Sequence, residues 1–187
     1  MNLSKLFPIQ KKLDDRIVKE KGLEGQDLLD KKILALQVEL GELANEWRGF
    51  KFWSEDQSPN IIYCHACNGY GYFDSTYQEA CGYCHATGIQ ESPLLEEYVD
   101  CLHFILSIGN ELGEYEYAAN KGREHPTELV DVFNSLFEIV AEVKYSIKHK
   151  NLTAHGTRVA INNYEVLIGV FTQLGEMLGF TREQIEQ

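Results

Sequence analysis

Two pairs of carboxylates carry the spacing for oxygen-ligand chemistry. Glu39 and Glu42 lie three residues apart, and so do Glu97 and Asp100. On a helix, at roughly 100° per residue, that spacing places both members of a pair one turn apart on the same side. Two helices that each offer such a pair build a four-carboxylate site. Hard oxygen ligands suit Mg²⁺ or Mn²⁺ rather than zinc, and Mg²⁺ readily takes up phosphate oxygens. The chemistry implied is metal-assisted attack of water on a phosphate chain. Leu94, Leu95, Tyr98, Val99, Cys101, Leu102, Phe104, Ile105, Leu106 and Ile108 surround Glu97 and Asp100 on every face of their helix. A helix apolar all round is buried, and ionised carboxylates there are costly unless paired or bound to metal. The alternative is that acids at this spacing are common on helices and are usually solvated or paired with Lys or Arg. A di-iron bundle fits less well, because it requires Glu-x-x-His pairs.

The second constellation is sulfur. Cys64-His-Ala-Cys67 and Cys81-Gly-Tyr-Cys84 each have the two-residue gap that aims both thiolates of a tight turn at one ion. Four thiolates suit tetrahedral zinc, and a site filled by four protein ligands has no open position for catalysis. Gly69 and Gly71 follow the first pair and Gly88 the second, which lets the turns curl around the sulfurs. The local pattern Cys-x-x-Cys-x-Gly-x-Gly resembles the zinc-binding repeats of J-protein chaperones. Disulfides are the competing reading, and a cytoplasmic compartment disfavours them. A redox role would need a βαβ setting that is missing here. His65 and His85 are expected to be exposed knuckle residues, and Cys101 a small buried one.

The elements that position these residues are helical. Leu6, Ile9, Leu13 and Ile17 mark a first amphipathic helix ending near Gly22. Leu29, Ile33, Leu36, Leu40, Leu43 and Trp47 form one stripe of a second, from about Asp27 to Arg48. A third begins at Pro93, which suits a first turn. Pro126 is expected to open a fourth, with Val130, Phe133, Phe137 and Val140 on one face. A fifth spans about Thr157 to Leu178, with Val159, Asn163, Val166, Val170 and Met177 near one face. The segment 54–92 has no helical period and is rich in Gly, Cys, Tyr and His. The expected plan is an all-α bundle over residues 1–187, interrupted by an inserted cysteine element at 54–92 that braces two helices.

Charge narrows the function classes. The chain is 187 residues long with a formal net charge of −12. No Lys or Arg occurs from Phe52 to Asn120, where Glu55, Asp56, Asp74, Glu79, Glu91, Glu96, Glu97, Asp100, Glu111, Glu114 and Glu116 are found. Such a balance argues against a sequence-independent nucleic-acid binder and against an anionic membrane surface. With no apolar run of membrane-spanning length and no signal peptide at Met1 to Asp15, a soluble cytoplasmic protein is expected.

At the acidic pairs the sequence resembles a known family. Glu39-Leu-Gly-Glu42 and Glu97-Tyr-Val-Asp100-Cys-Leu-His103-Phe resemble the Glu-x-x-Glu and Glu-x-x-Asp motifs of all-α nucleoside triphosphate pyrophosphatases. The fuller stretches ALQVELGELANEWRGFKFWS and LLEEYVDCLHFILSIG are similar to dimeric dUTPases of Gram-positive bacteria and their phages. The resemblance implies hydrolysis of dUTP to dUMP and pyrophosphate by a homodimer. Mg²⁺ (or Mn²⁺) would be held by Glu39, Glu42, Glu97 and Asp100, with Glu39 orienting or deprotonating the attacking water. It also implies that Gln10, Asp14, Trp53 and His103 read uracil, against the alternative that Trp53 simply packs and His103 is a core histidine. Members of that family continue with a segment carrying Lys, Asn and Arg that grips the phosphates. Here Thr181 and Gln184 have capping-box spacing for a helix start, and the chain ends at Gln187. A truncated or divergent phosphate grip, and weak or absent activity, are therefore expected. Two other functions compete: a related pyrophosphatase with another base preference such as dCTP, and a non-enzymatic zinc-braced helical interaction module.

Overall fold

The computed structural model describes residues 3–73, 79–113, 126–149 and 154–186. Asp74, Glu114 and Glu116 of the acidic stretch lie outside the described residues. Among the described residues six helices follow in order: α1 (Leu3–Glu20), α2 (Leu29–Trp47), α3 (Pro93–Leu112), α4 (Leu129–His149), α5 (Ala154–Met177) and α6 (Arg182–Ile185). Two short strands, β1 (Ile62–Tyr63) and β2 (Ile89–Glu91), pair antiparallel between α2 and α3. The chain is an all-α bundle with a small cysteine element. Among the described residues no helix is long and apolar enough to cross a membrane.

Helix α2 forms where its stripe requires. Ile33, Leu36, Leu40 and Leu43 are buried, and Trp47 stacks on Phe133 of α4 with ring centroids 5.1 Å apart. The Asp27 carboxylate accepts the Leu29 N–H at its start, and the backbone turns left-handed at Arg48 to end it. Helix α2 packs on α3 and α4 packs on α5. Contacts of α2 with α4 and of α3 with α5 join the two pairs, and α1 lies on α3. The core between them includes Leu40, Tyr98, Ile105, Leu136, Tyr164, Leu167 and Phe171. Its two buried tyrosines keep their hydroxyls paired: Tyr164 donates to the Ile105 carbonyl at 2.7 Å and Tyr98 to that of Phe171 at 3.2 Å. A Cβ at Gly109 would strike the Tyr164 hydroxyl, and one at Gly175 would strike that of Tyr98. These two helical glycines therefore admit the rings.

Three expectations differ from what is observed. Helix α1 buries only part of the stripe Leu6, Ile9, Leu13 and Ile17: Leu6 packs against the core and Leu13 is half-buried. Ile9 is 64% exposed and Ile17 43%, whereas polar Gln10 is only 5% exposed. The helix is rolled toward its polar flank because α3 offers it hydrogen-bonding partners, described below. Helix α4 starts at Leu129, three residues beyond Pro126, and Val130 points outward. On α5 the centre of the buried face runs through Ala160, Tyr164, Leu167 and Phe171, leaving Val159 at its exposed margin. The short α6 does carry the expected capping box between Thr181 and Gln184.

Candidate active site and cysteine centre

Packing of α2 on α3 brings the acids together. Carboxylate oxygens of Glu39, Glu97 and Asp100 lie within 4.8 Å of one another, and all three residues are half-buried. Glu42, one turn along α2, is exposed and outside this closest group, yet its charge reaches both glutamates. Burial, followed by the charges of Glu42, Glu39 and Asp100, pushes the Glu97 carboxyl up to about 7. Glu39 is raised by burial and by Glu42 and Asp100, offset in part by a hydrogen bond with Glu97. Like charges this close cannot all ionise without a counter-charge. An oxygen-only donor set of this kind, short of positive charge, fits a hard divalent cation. Behind it, the fully buried Cys101 thiol is pushed up by burial, so it is a packing residue rather than a nucleophile. A cavity of about 300 Å³ opens beside Asp100, lined also by Glu91, Leu95, Glu96, Val99 and Gln184 of α6. A more apolar hollow of about 450 Å³, between α4 and α5, has none of the four acids in its lining.

Next to the acids, a polar network joins α1, α2 and α3. Gln10 Nε2 donates to Asp14 Oδ1 at 2.7 Å, and Gln10 Oε1 pairs with His103 Nδ1 at 2.6 Å. Ser107 Oγ donates to Asp14 Oδ2 at 2.6 Å. Lys32 Nζ lies 3.7 Å from that same oxygen and 2.6 Å from Glu111 Oε1. Three of the four residues expected to read a base, Gln10, Asp14 and His103, are thus bonded to one another. Trp53 makes none of these contacts. It is 66% exposed and meets Phe50 and Phe52 edge to face in the loop after α2. Lys32 and Ser107 were not singled out from the sequence. Their signal is a polar residue on the flank of the α2 stripe, four before Leu36, and a serine inside the apolar run of α3.

The cysteine centre is built almost entirely by local backbone. Cys64, Cys67, Cys81 and Cys84 are buried, with sulfurs 3.8 Å apart for Cys64–Cys81 and 3.7 Å for Cys67–Cys84. No pair is bonded. Four sulfurs about 2.3 Å from a central ion define a tetrahedron with an edge of about 3.8 Å, so the donor set fits zinc. The two turns repeat each other. Asn68 and His85 both have φ of 50°, Gly71 and Gly88 have φ of 78° and 74°, and Ala86 takes the left-handed place of Gly69. Gly71 N–H donates to Cys67 Sγ and Gly88 N–H to Cys84 Sγ. Each turn also accepts from the other, with Cys64 N–H on the Gly88 carbonyl and Cys81 N–H on that of Gly71. A Cβ at Gly71 would collide with the Ala86 carbonyl, and one at Gly88 with that of Gly69. Burial raises the Cys84 thiol, but the Gly88 N–H and the neighbouring sulfurs outweigh it and bring it down to about 7. His65 and His85 are exposed, as expected, and His65 Nδ1 pairs with Gln90. Strand β2 runs through Ser92 directly into α3, one turn before Glu97.

A family model described as dUTPase matches residues 2–62 and 85–187. The chain belongs to the dUTPase family. Its matched blocks include Glu39, Glu42, Glu97, Asp100 and the whole network around Asp14. The unmatched interval, 63–84, contains all four clustered cysteines, so the sulfur centre is an addition to what the family model describes. No curated protein and no solved structure matches the chain.

Proposed function

We propose that this dUTPase-family chain hydrolyses dUTP to dUMP and pyrophosphate, with Mg²⁺ (or Mn²⁺) held by Glu39, Glu42, Glu97 and Asp100. The observation that carries this is the convergence of Glu39, Glu97 and Asp100 from two helices, with Glu97 raised to about 7 by its acidic neighbours. Glu42 is the fourth carboxylate, reaching the ion from the exposed end of the group. Bound there, the ion supplies positive charge for the phosphate oxygens. Glu39 holds and deprotonates the attacking water, the role a carboxylate within hydrogen-bond reach can take. Gln10, Asp14 and His103 read the base, and Trp53 offers an exposed aromatic face for it to stack on. Zinc at Cys64, Cys67, Cys81 and Cys84 is structural. The element at 54–92 braces the connection from α2 to α3 and so steadies the two acid-bearing helices. Exposed Ile9 and Ile17 on α1 and Leu34 and Val38 on α2 support a homodimer.

Pyrophosphate release measured across the deoxynucleoside triphosphates, with and without Mg²⁺, tests the reading. Release from dUTP that requires the metal is expected. Release from dCTP in preference to dUTP would reassign the base, and no release from any nucleotide would leave the chain a zinc-braced helical module.

A further inference from the structure

The polar network fixes more than position. Asp14 is a carboxylate that accepts from Gln10 Nε2 and from Ser107 Oγ, with the Lys32 ammonium beside it. An acceptor on that side dictates which end of the Gln10 amide faces it, and the amide nitrogen must point at Asp14. The Gln10 oxygen is then left facing His103 Nδ1 at 2.6 Å. Two acceptors cannot face each other at that distance, so Nδ1 carries the hydrogen. In a neutral imidazole the other nitrogen, Nε2, is then a lone-pair acceptor. Nε2 has no partner among the described residues.

We propose that Lys32 and Ser107 are positioning residues that, through Asp14 and Gln10, lock His103 as the Nδ1–H tautomer and so select an imide base over an aminopyrimidine. The discrimination is chemical. Uracil presents an N3–H donor to a lone pair at Nε2, whereas cytosine presents an N3 lone pair, which is repelled. Lys32 contributes because its side chain is only 14% exposed and sits between two carboxylates, Asp14 and Glu111. Without it, Asp14 loses its nearest cation, and its carboxylate is held less firmly against the Gln10 amide. This inference rests on the reading of His103 as a base-contacting residue.

The test uses the intact, zinc-replete chain and binding of dUMP and dCMP in the presence of Mg²⁺, which does not depend on turnover. Wild type should show ¹⁵N shifts of a protonated Nδ1 and an unprotonated Nε2 at His103, and should bind dUMP in preference to dCMP. Lys32→Met and Ser107→Ala should each mix the tautomers and lower that preference, by about tenfold for the lysine variant, the equivalent of one charge-assisted hydrogen bond. Lys32→Arg should restore most of it, and for dUTP the loss should fall on KM rather than kcat. The proposal is overturned if wild-type His103 is protonated at Nε2. It is also overturned if the tautomer mixes in both variants while the dUMP-to-dCMP preference stays put. His103→Ala separates the two levels. If it leaves dUMP affinity unchanged, the base-reading role itself fails. If it weakens dUMP while Ser107→Ala and Lys32→Met change nothing, only the tautomer lock fails.

Discussion

The two clusters of ligand-type residues are built in opposite ways. The cysteine centre is assembled by neighbours in sequence. Two like turns, seventeen residues apart, aim their own N–H groups at their own sulfurs and cap each other through backbone hydrogen bonds. The carboxylate centre is assembled by distant segments, since Glu39 on α2 meets Glu97 and Asp100 on α3 only because the helices pack. Its electrostatics also differ, because the acids repel one another and take up protons in the absence of a cation. A set of donors shaped by backbone suits a permanent structural centre. In the proposed function, a set held in electrostatic tension by a rigid core serves as a place where a cation and a charged substrate can come and go.

That contrast can be broken, and the largest effect is expected from zinc. Structural zinc in small elements is worth on the order of 10 kcal/mol. A strong chelator should therefore unfold the segment between α2 and α3 while leaving most of the far-UV helical signal, because the element holds no helix among its described residues. Collapse of the helical signal together with zinc loss would show that the centre is not local. The next largest effect concerns the acids. Asp100→Asn and Glu42→Gln should each lower Mg²⁺-dependent turnover by about 10²-fold or more, with zinc content by metal analysis unchanged. A change in zinc content would mean the two centres are not independent.

Backbone substitutions sharpen the comparison. Gly88→Ala forces a Cβ into the Gly69 carbonyl at a left-handed φ, and should cost about 1–3 kcal/mol of element stability and weaken zinc retention. Gly82→Ala, where a Cβ meets nothing, should be within about 0.5 kcal/mol of wild type in the same chelator competition. The smallest effect is a pH dependence. Glu97 is raised from 4.5 to about 7 in the folded chain, so without a divalent cation its contribution to stability is full below pH 4.5 and is lost as pH rises through about 7. Saturating Mg²⁺ should cancel that loss, with protons released on binding, as read by thermal midpoints at pH 5 and pH 8. A Mg²⁺ stabilisation no larger at pH 8 than at pH 5 would count against the carboxylates as the ligands.

How far each feature was legible follows from the same contrast. The cysteine centre is written in contiguous residues, so spacing alone predicts its donor set. The α2 stripe, the proline start of α3 and the Thr181 capping box are local signals too, and they match the structure. The acids were legible as pairs, but the separation of Glu42 from the other three depends on how α2 rolls on α3, which no spacing encodes. Helix α1 misleads most, because Ile9 and Ile17 of its apolar stripe are exposed while Leu6 packs on the core. Its docking face is mixed: Leu3, Leu6 and Phe7 pack on the core beside Gln10 and Asp14, which are satisfied by His103 and Ser107 from α3. Hydrophobic periodicity cannot register a face that is held by hydrogen bonds. Lys32 is illegible for the same reason, since a lysine on a stripe's flank reads as solvated until its two carboxylate partners arrive from other helices.

The most direct test of the account is to incubate zinc-replete chain with dUTP at equal concentrations, with Mg²⁺ or with chelator, and to quantify dUMP and pyrophosphate. The account predicts equal amounts of both products with Mg²⁺, none with chelator, and formation slowed by about 10²-fold or more in Asp100→Asn under the same conditions. Intact dUTP with Mg²⁺ present, or product from Asp100→Asn matching that of wild type, would contradict it.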